Sequence, residues 1–577
     1  FFHNELLLDA KLAARYQEFF LAYEAAKKQS KSYDLADLIY IPLRLLESSP
    51  TYRKRWQGMY QYLQVDETQD TSPSQYRLIQ HLAAGHRNVV IVGDPDQAIY
   101  NFRGASPEAS ILSFKRMYPG GTIYRIEHNY RSTPQILDAA NHLISNNESM
   151  AGFEKVLRPT LPDGAPVVVT AYEDQESESR GIAARIEQLV ASATGQPDAF
   201  SYRDIFVLSR TNHHLASLEM ALAHKRIPYR TLGGSSFFKR KTTRDMLAYL
   251  ALVDGARVHQ EYLAACQASL PPKWDDVFTP VFCGEQNAAF RTVAHIPSRD
   301  YLANTGKTSH RFTPTLYAML TAKAAGRPLL QFCEEQSYAV DTQYQPGMKD
   351  FVALVHRIWQ SSKNHPVAAI RAIRELAYDA HLRHRDANHT EDQEEDSEAP
   401  RHEEDTRLES RYEELEELTN IAQRHQSIRQ FLQAMVQLKE QSEDTSKNKR
   451  DCVSLLTVHK SKGLEQRVVF VIGLVEGIFP HQRSFSLSAD DTPVVQSGIA
   501  EERRLAYVAF TRAQQRLFLS SLVRYRGGDA TPSRFIHEAG LTPTDETGIL
   551  NPYRIKRDGS VRKPEPAVTA PTLFDSL

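Results

Sequence analysis

Cysteine is scarce: the 577 residues hold four, Cys266, Cys283, Cys333 and Cys452. No two of them form a Cys-x-x-Cys pair and none has histidines at zinc-ligand spacing. This argues against a disulfide framework or a structural zinc site, and buried reduced thiols are expected. There is also no apolar run long enough to cross a membrane and no signal-peptide pattern at Phe1, so a cytoplasmic protein without a membrane partner is expected. Charge of one sign is missing too, since 69 Lys and Arg stand against 71 Asp and Glu, for a net charge of −2. Such a chain has no overall attraction to nucleic acid, and any affinity of that kind must come from a local groove. With 41% hydrophobic and 24% charged residues, the composition is that of ordinary soluble domains, and the length calls for several of them.

What is present is concentrated between Val65 and Arg103. Tyr60, Tyr62, Leu63 and Val65 lead into Asp66-Glu67. Val89, Val90, Ile91 and Val92, an apolar strand of the kind buried on both faces of a parallel sheet, lead into Gly93-Asp-Pro-Asp-Gln97. Between them Tyr76, Leu78, Ile79, Leu82 and Ala83 recur at helical spacing. The stretch therefore reads as strand-helix-strand with carboxylates at two adjacent strand ends, where open α/β sheets bind ligands. An acid pair in that place suits nucleotide hydrolysis: Asp66 can hold Mg2+ through water, while Glu67 polarises the water that attacks a γ-phosphate. A bare Asp-Glu also serves as a turn or a helix cap, so the surrounding strings decide.

Those strings are Val65-Asp-Glu-Thr-Gln-Asp70, Val92-Gly-Asp-Pro-Asp-Gln-Ala-Ile-Tyr-Asn-Phe-Arg-Gly-Ala105 and Glu127-His-Asn-Tyr-Arg-Ser-Thr133. Far downstream come Thr457-Val-His-Lys-Ser-Lys-Gly-Leu-Glu465 and Glu501-Glu-Arg-Arg-Leu-Ala-Tyr-Val-Ala-Phe-Thr-Arg-Ala513. In this order they resemble motifs II to VI of the UvrD/PcrA/Rep-type superfamily 1A DNA helicases. The resemblance implies an α/β fold of two RecA-like motor domains, the first one truncated, with mainly helical inserted subdomains.

By the same resemblance, residues 1–55 are the end of helical subdomain 1B, with an apolar stripe that includes Leu12, Tyr16, Phe19 and Phe20, and 56–124 are the remaining part of motor domain 1A. Residues 125–255 and 450–544 form motor domain 2A, in which Thr133 caps a helix with Pro134 at its first position. Residues 256–449 are the helical insertion 2B, and 545–577 a disordered tail. Within 2B, Asp386 to Asp405 reads as an acidic, solvated loop. Pro297-Ser-Arg299 departs from the family's duplex-contacting hairpin. The family's phosphate loop, Gly-x-x-x-x-Gly-Lys-Ser/Thr, does not precede Asp66, and Gly306-Lys307-Thr308 lacks its first glycine and a leading strand.

Carried over residue by residue, the resemblance makes Asp66 the metal ligand, Glu67 the water-activating base and Gln97 the γ-phosphate sensor. Arg131 and Arg512 become the arginines that neutralise charge developing on the γ-phosphate. Arg512 has a further argument, because Leu505, Val508, Ala509 and Arg512 share one helix face and a charge on a buried stripe needs a partner. Tyr130 would stack on the base and Glu465 would lie near the ribose. Arg103 joins the nucleotide set by position, although it also reads as an internal strut. Tyr100, Phe102 and His459 match the single-strand track, where aromatic rings grip bases without reading sequence.

The expected activity is ATP-dependent 3'-to-5' translocation on single-stranded DNA and DNA unwinding in repair or replication. ATP and Mg2+ are the expected cofactors, and the expected partners are single-stranded DNA, single/double-strand junctions and a separately encoded N-terminal segment. The alternative is a non-catalytic DNA-binding or regulatory remnant of such a helicase.

Overall fold

The computed structural model describes residues 10–107, 109–148, 155–192, 199–212, 214–232, 237–267, 280–294, 296, 298–305, 320, 324, 327–335, 344–387, 404–446, 451–484 and 493–543. The tail from 545, the Gly306-Lys307-Thr308 triplet and nearly all of the acidic segment 386–405 lie outside them. The chain divides into two compact units, Phe1–Glu127 with Glu148–Lys155, and His128–Asn147 with Val156–Leu577.

The first unit opens with helices α1 (Ala10–Ser30), α2 (Asp37–Ser48) and α3 (Pro50–Met59). Lys27 holds the α1–α2 corner, with its ammonium 2.7 Å from Glu24 and 3.0 Å from both Asp34 and Asp37. Of the apolar stripe expected on α1, the described side chains Tyr16, Phe19 and Phe20 are exposed. Periodicity marks a face, but burial needs an opposing element, and no described element packs extensively on α1.

Next come β1 (Leu63–Val65), α4 (Pro73–Ala83) and β2 (Val89–Ile91), the expected strand-helix-strand. Helix α4 begins in a capping box, in which Ser72 accepts from the N–H of Gln75 and Gln75 reaches back to the N–H of Ser72. It buries Tyr76 and Ala83 and packs on α2 and α3. The two strands pair in parallel, Leu63 opposite Val89 and Val65 opposite Ile91, so their carboxyl ends lie side by side. The expectation of a strand buried on both faces fails, because Val90 and Val92 are 53% and 51% exposed. Burial of that kind needs a neighbour on each edge and a layer on each face, and β2 pairs with β1 alone among the described strands. The short α5 (Phe114–Met117) follows near the end of this unit.

The second unit begins with β3 (His128–Asn129), which pairs with β4 (Arg158–Pro159), and with α6 (Pro134–Ile144) between them. The helical spacing of Ile136, Leu137, Ala140, Leu143 and Ile144 predicts a core stripe on α6; the first four are buried, and Ile144, in the last turn, is only half-buried. Thr133 stands at the cap position, yet the cap is made by its carbonyl, which receives the N–H groups of Ile136 and Leu137, and its hydroxyl makes no cap bond. The central sheet has six parallel strands in the order β5 (Val168–Tyr172), β10 (Ala513–Leu522), β9 (Gln466–Val471), β6 (Ile205–Ser209), β8 (Val453–Thr457), β7 (Tyr229–Thr231). Val207, Leu455, Val468 and Phe470 of the sheet share a core with Ile182 and Ile186 of α7 (Gln175–Ser192) and Leu215 and Leu218 of α8 (His214–His224).

The inserted helices are α9 (Lys241–Gln267), α10 (Pro280–Val293), α11 (Arg299–Thr305), α12 (Leu329–Glu335), α13 (Gln345–Ser362), α14 (Pro366–Ile373), α15 (Asp379–Ala387), α16 (Glu404–Ala422) and α17 (Ile428–Ser446). They share a core that includes Tyr249, Phe290, Phe351, Tyr378 and Phe431. Helix α9 runs unbroken through residue 255, so one continuous helix leads from the sheet part into the insertion. Ser298 starts α11 by accepting the N–H of Tyr301 and donating to Asp350 at 2.6 Å, which makes this place a helix start. Cys333 and Cys452 are buried thiols. The sheet part closes with α18 (Pro493–Phe510), β10 and α19 (Arg534–Glu538). Among the described residues no helix is long and apolar enough to cross a membrane.

Candidate functional site

In the first unit the chain leaves β1 at Asp66 and turns at once. Glu67 takes a left-handed conformation, φ 50° and ψ 39°, which costs a non-glycine residue about 1–2 kcal/mol. Strain of this kind is kept where the surroundings over-determine it, and such residues cluster at functional sites. Here the surroundings are explicit. Asp66 accepts the N–H of Glu67 at 2.9 Å, and the N–H of Thr68 donates to the carbonyl of Val92 at 3.0 Å. Both Asp66 and Glu67 remain exposed to solvent, while Thr68 and Gln69 behind them are fully buried.

Gln69 joins the two strand ends. Its Nε2 donates to Glu67 Oε2 at 2.5 Å, and its Oε1 accepts the N–H of Asp94 at 3.0 Å. Gly93 permits this approach: a Cβ there would stand 2.6 Å from Gln69 Oε1 and 2.9 Å from Ile111 Cδ1. Beyond it Asp94 caps the turn Pro95–Gln97, accepting the N–H of Asp96 at 3.0 Å on Oδ1 and Nε2 of Gln97 at 2.7 Å on Oδ2. Lys155 places its ammonium on Asp94 Oδ1 and 3.3 Å from Asp96. Glu67 and Gln97, read from the sequence as separate candidates, are thus members of one hydrogen-bonded chain.

The donor set fits a magnesium nucleotide. Among the described residues no group of three or more His, Cys, Asp or Glu could cage a metal ion. Mg2+ in nucleotide sites characteristically takes one or two carboxylates and completes its shell with water and phosphate oxygens. Asp66 offers such a carboxylate at an exposed strand end.

Tyr100 and Phe102 follow on the same unit, their ring centroids 6.0 Å apart. Arg103 lies 5.5 Å from the Tyr100 ring and 5.6 Å from the Phe102 ring, the strut arrangement. Burial, and then the charge of Asp70, push the Tyr100 phenol above its ordinary pKa. Phe102 remains 53% exposed, an accessible π-face with the Arg103 guanidinium beside it.

In the second unit the stretch after β3 docks on the start of β10. Ser132 donates its hydroxyl to the carbonyl of Ala513 at 2.6 Å, and the N–H of Thr133 donates to Gln514 at 3.1 Å. This brings Arg131 onto the carboxylate of Glu465, which also accepts from Gln514 at 3.0 Å. Tyr130 stands exposed beside them. Arg512 is 2% exposed and donates to the carbonyls of Val508 at 2.9 Å and Leu464 at 3.1 Å. It does not sit on the helix as its spacing predicts: α18 ends at Phe510, because the chain must straighten to enter β10 at Ala513. The turn nevertheless points Arg512 back along the stripe of Leu505, Val508 and Ala509, all buried. His459 lies half-buried in the turn Val458–Ser461 after β8. Arg131, Glu465 and Arg512, drawn from three distant strings, therefore converge on one unit.

Sequence reasoning missed Gln69 and Lys155. Gln69 could have been found, since it lies two residues past Glu67 within the same string. Lys155 carries no local signal, because its partner lies 61 positions away.

The UvrD/REP helicase N-terminal domain matches residues 4–119, and the UvrD-like helicase C-terminal domain matches 124–260 and 309–524. The ATP-dependent DNA helicase Rep of Escherichia coli (strain K12) is 31% identical over 543 residues, which cover 89% of this chain and 69% of that protein. The ATP-dependent DNA helicase PcrA of Leuconostoc citreum is 30% identical over 535 residues, covering 90% and 62%. PcrA of Bacillus subtilis (strain 168) is 30% identical over 556 residues, covering 94% and 66%. The chain thus spans about two thirds of the length of these relatives.

Proposed function

The chain belongs to the UvrD-like helicase family, and from that premise we propose that it is the greater part of an ATP-dependent motor that moves 3' to 5' along single-stranded DNA. Its place is the cytoplasm, where it opens duplexes at single/double-strand junctions during repair or replication, completed by a segment that carries the phosphate loop. The observation that carries this reading is the hydrogen-bonded chain Glu67–Gln69–Asp94–Gln97 at the ends of two adjacent parallel strands. A water-activating carboxylate and a phosphate-sensing amide coupled in this way can respond to the same γ-phosphate.

Asp66 would hold Mg2+, which when bound would neutralise phosphate charge. Glu67 orients and deprotonates the attacking water, and Gln97 reads the γ-phosphate on the unit that bears Tyr100 and Phe102. Arg131 and Arg512 stabilise the negative charge of the transition state, with Tyr130 stacked on the base and Glu465 near the ribose. Phe102 and His459 grip bases, so a change at Gln97 reaches the track through five residues of chain.

The test uses the protein extended by a phosphate-loop segment and single strands of increasing length labelled at the 5' or the 3' end. Arrival at the 5' end after a lag that grows with length is expected, and Glu67→Gln should abolish it. Arrival at the 3' end, or a lag independent of length, would overturn the reading.

A further inference from the structure

We infer that Lys155 is a positioning residue of the hydrolytic site, one that sets the orientation of the Gln97 amide through Asp94; this rests on the roles proposed above for Glu67 and Gln97. Asp94 is a heavily used carboxylate: it accepts the N–H of Asp96, the side-chain amide of Gln97 and the ammonium of Lys155, while its own N–H is held by Gln69. Its Oδ2 decides which way the Gln97 amide faces, because only the Nε2 end can donate to it. A second acid, Asp96, lies in the same turn, and two carboxylates so close repel each other unless a cation lies between them. Lys155 supplies that cation to both, with its side chain 16% exposed against 21% for Asp94 and 30% for Asp96. A pair sheltered to this degree is screened less than a surface pair.

Without the ammonium, Asp94 and Asp96 separate, and the carboxylate that orients Gln97 loses its fixed place. The Gln69 bridge carries the same disturbance back towards Glu67, since Asp94 N–H and Glu67 Oε2 share that one side chain. Nothing in this arrangement requires Lys155 to touch the nucleotide. The expected signature is therefore a loss in the chemical step with little change in nucleotide affinity.

Two measurements test this separately from the function itself. In the 577-residue chain, hydrogen exchange of the peptide spanning Asp94 to Arg103 should speed up in Lys155→Ala and return towards wild type in Lys155→Arg, with peptides of β5 to β10 unchanged. In the protein extended by a phosphate-loop segment, Lys155→Ala should lower the DNA-stimulated kcat by about tenfold or more, the scale of a misplaced catalytic group, with KM for ATP nearly constant. Lys155→Arg should restore most of it, and Asp94→Asn should cost little more once Lys155 is Ala. Unchanged exchange in the 94–103 peptide, or a higher KM at constant kcat, would overturn the proposal. Faster exchange in an extended protein that never hydrolyses ATP would leave the pinning of Asp94 in place and overturn the positioning role together with the function on which it rests.

Discussion

Phe102 and His459 carry the single-strand track in this reading, and they sit in different environments. Phe102 is an exposed ring flanked by Tyr100 and Arg103, whereas His459 is half-buried in a turn. If a base stacks on Phe102, Phe102→Ala should weaken oligonucleotide binding by about 1–3 kcal/mol. A fluorescence titration of both Phe102→Ala and His459→Ala checks this, and unchanged affinity in both would remove the track from these residues. A second residue-level expectation concerns Cys333, whose thiol burial pushes up to about 12 from an ordinary 9.0. That shift leaves about a thousandfold less thiolate at neutral pH, and the thiolate is the reactive form. Alkylation at pH 8 followed by peptide mapping should therefore find Cys333 protected in the folded chain, and rapid labelling there would contradict its burial.

Single side chains also bind whole elements together. Glu178, in the first turn of α7 and 1% exposed, accepts the hydroxyl of Ser520 on β10 at 2.6 Å and the N–H of Gly473 after β9 at 3.0 Å, and it meets His214 at the start of α8 at 2.8 Å. Gly473 has φ +69°, and a Cβ there would stand 2.8 Å from His214 Nε2. Glu178→Ala leaves buried donors without their acceptor, a change worth roughly 2–5 kcal/mol. It should lower the urea midpoint for loss of helix and sheet circular dichroism, and an unmoved midpoint would show that these element ends hold without it. None of this was legible in the sequence, whereas the motif strings were, and the difference is physical. In the proposed reading, phosphate chemistry needs several groups within a few ångströms of a strand end, which would place Asp66-Glu67 and Gln97 in short contiguous strings. Tertiary partners such as Glu178 and Ser520, or Asp94 and Lys155, are joined only by folding and leave no local pattern. The resemblance implied the helical insertion but not which faces meet, and apolar content alone marked β2 as a buried strand, although burial depends on neighbours that a strand's own residues do not specify.

At the scale of the whole molecule, the net charge of −2 gives DNA no general attraction, so binding and turnover depend on completed sites. These 577 residues hold Glu67, Arg131 and Arg512 but contain no Gly-x-x-x-x-Gly-Lys-Ser/Thr string. Phosphoryl transfer is mostly a matter of positioning, and the lysine and backbone amides of such a loop are what hold the β- and γ-phosphates in line. Phosphate release by the 577-residue chain alone should therefore show no stimulation by single-stranded DNA, and fusion to a segment bearing the loop should produce it. The gain should vanish with Glu67→Gln or Arg512→Ala. Val90 and Val92, half exposed on β2, supply an independent readout, because strands added beside them should slow hydrogen exchange in the 89–92 peptide. Robust DNA-stimulated turnover by the 577 residues alone would refute the need for the loop. A fusion that protects 89–92 and binds single strands yet never hydrolyses ATP would instead favour a DNA-binding protein that has kept the track of a motor without its catalysis.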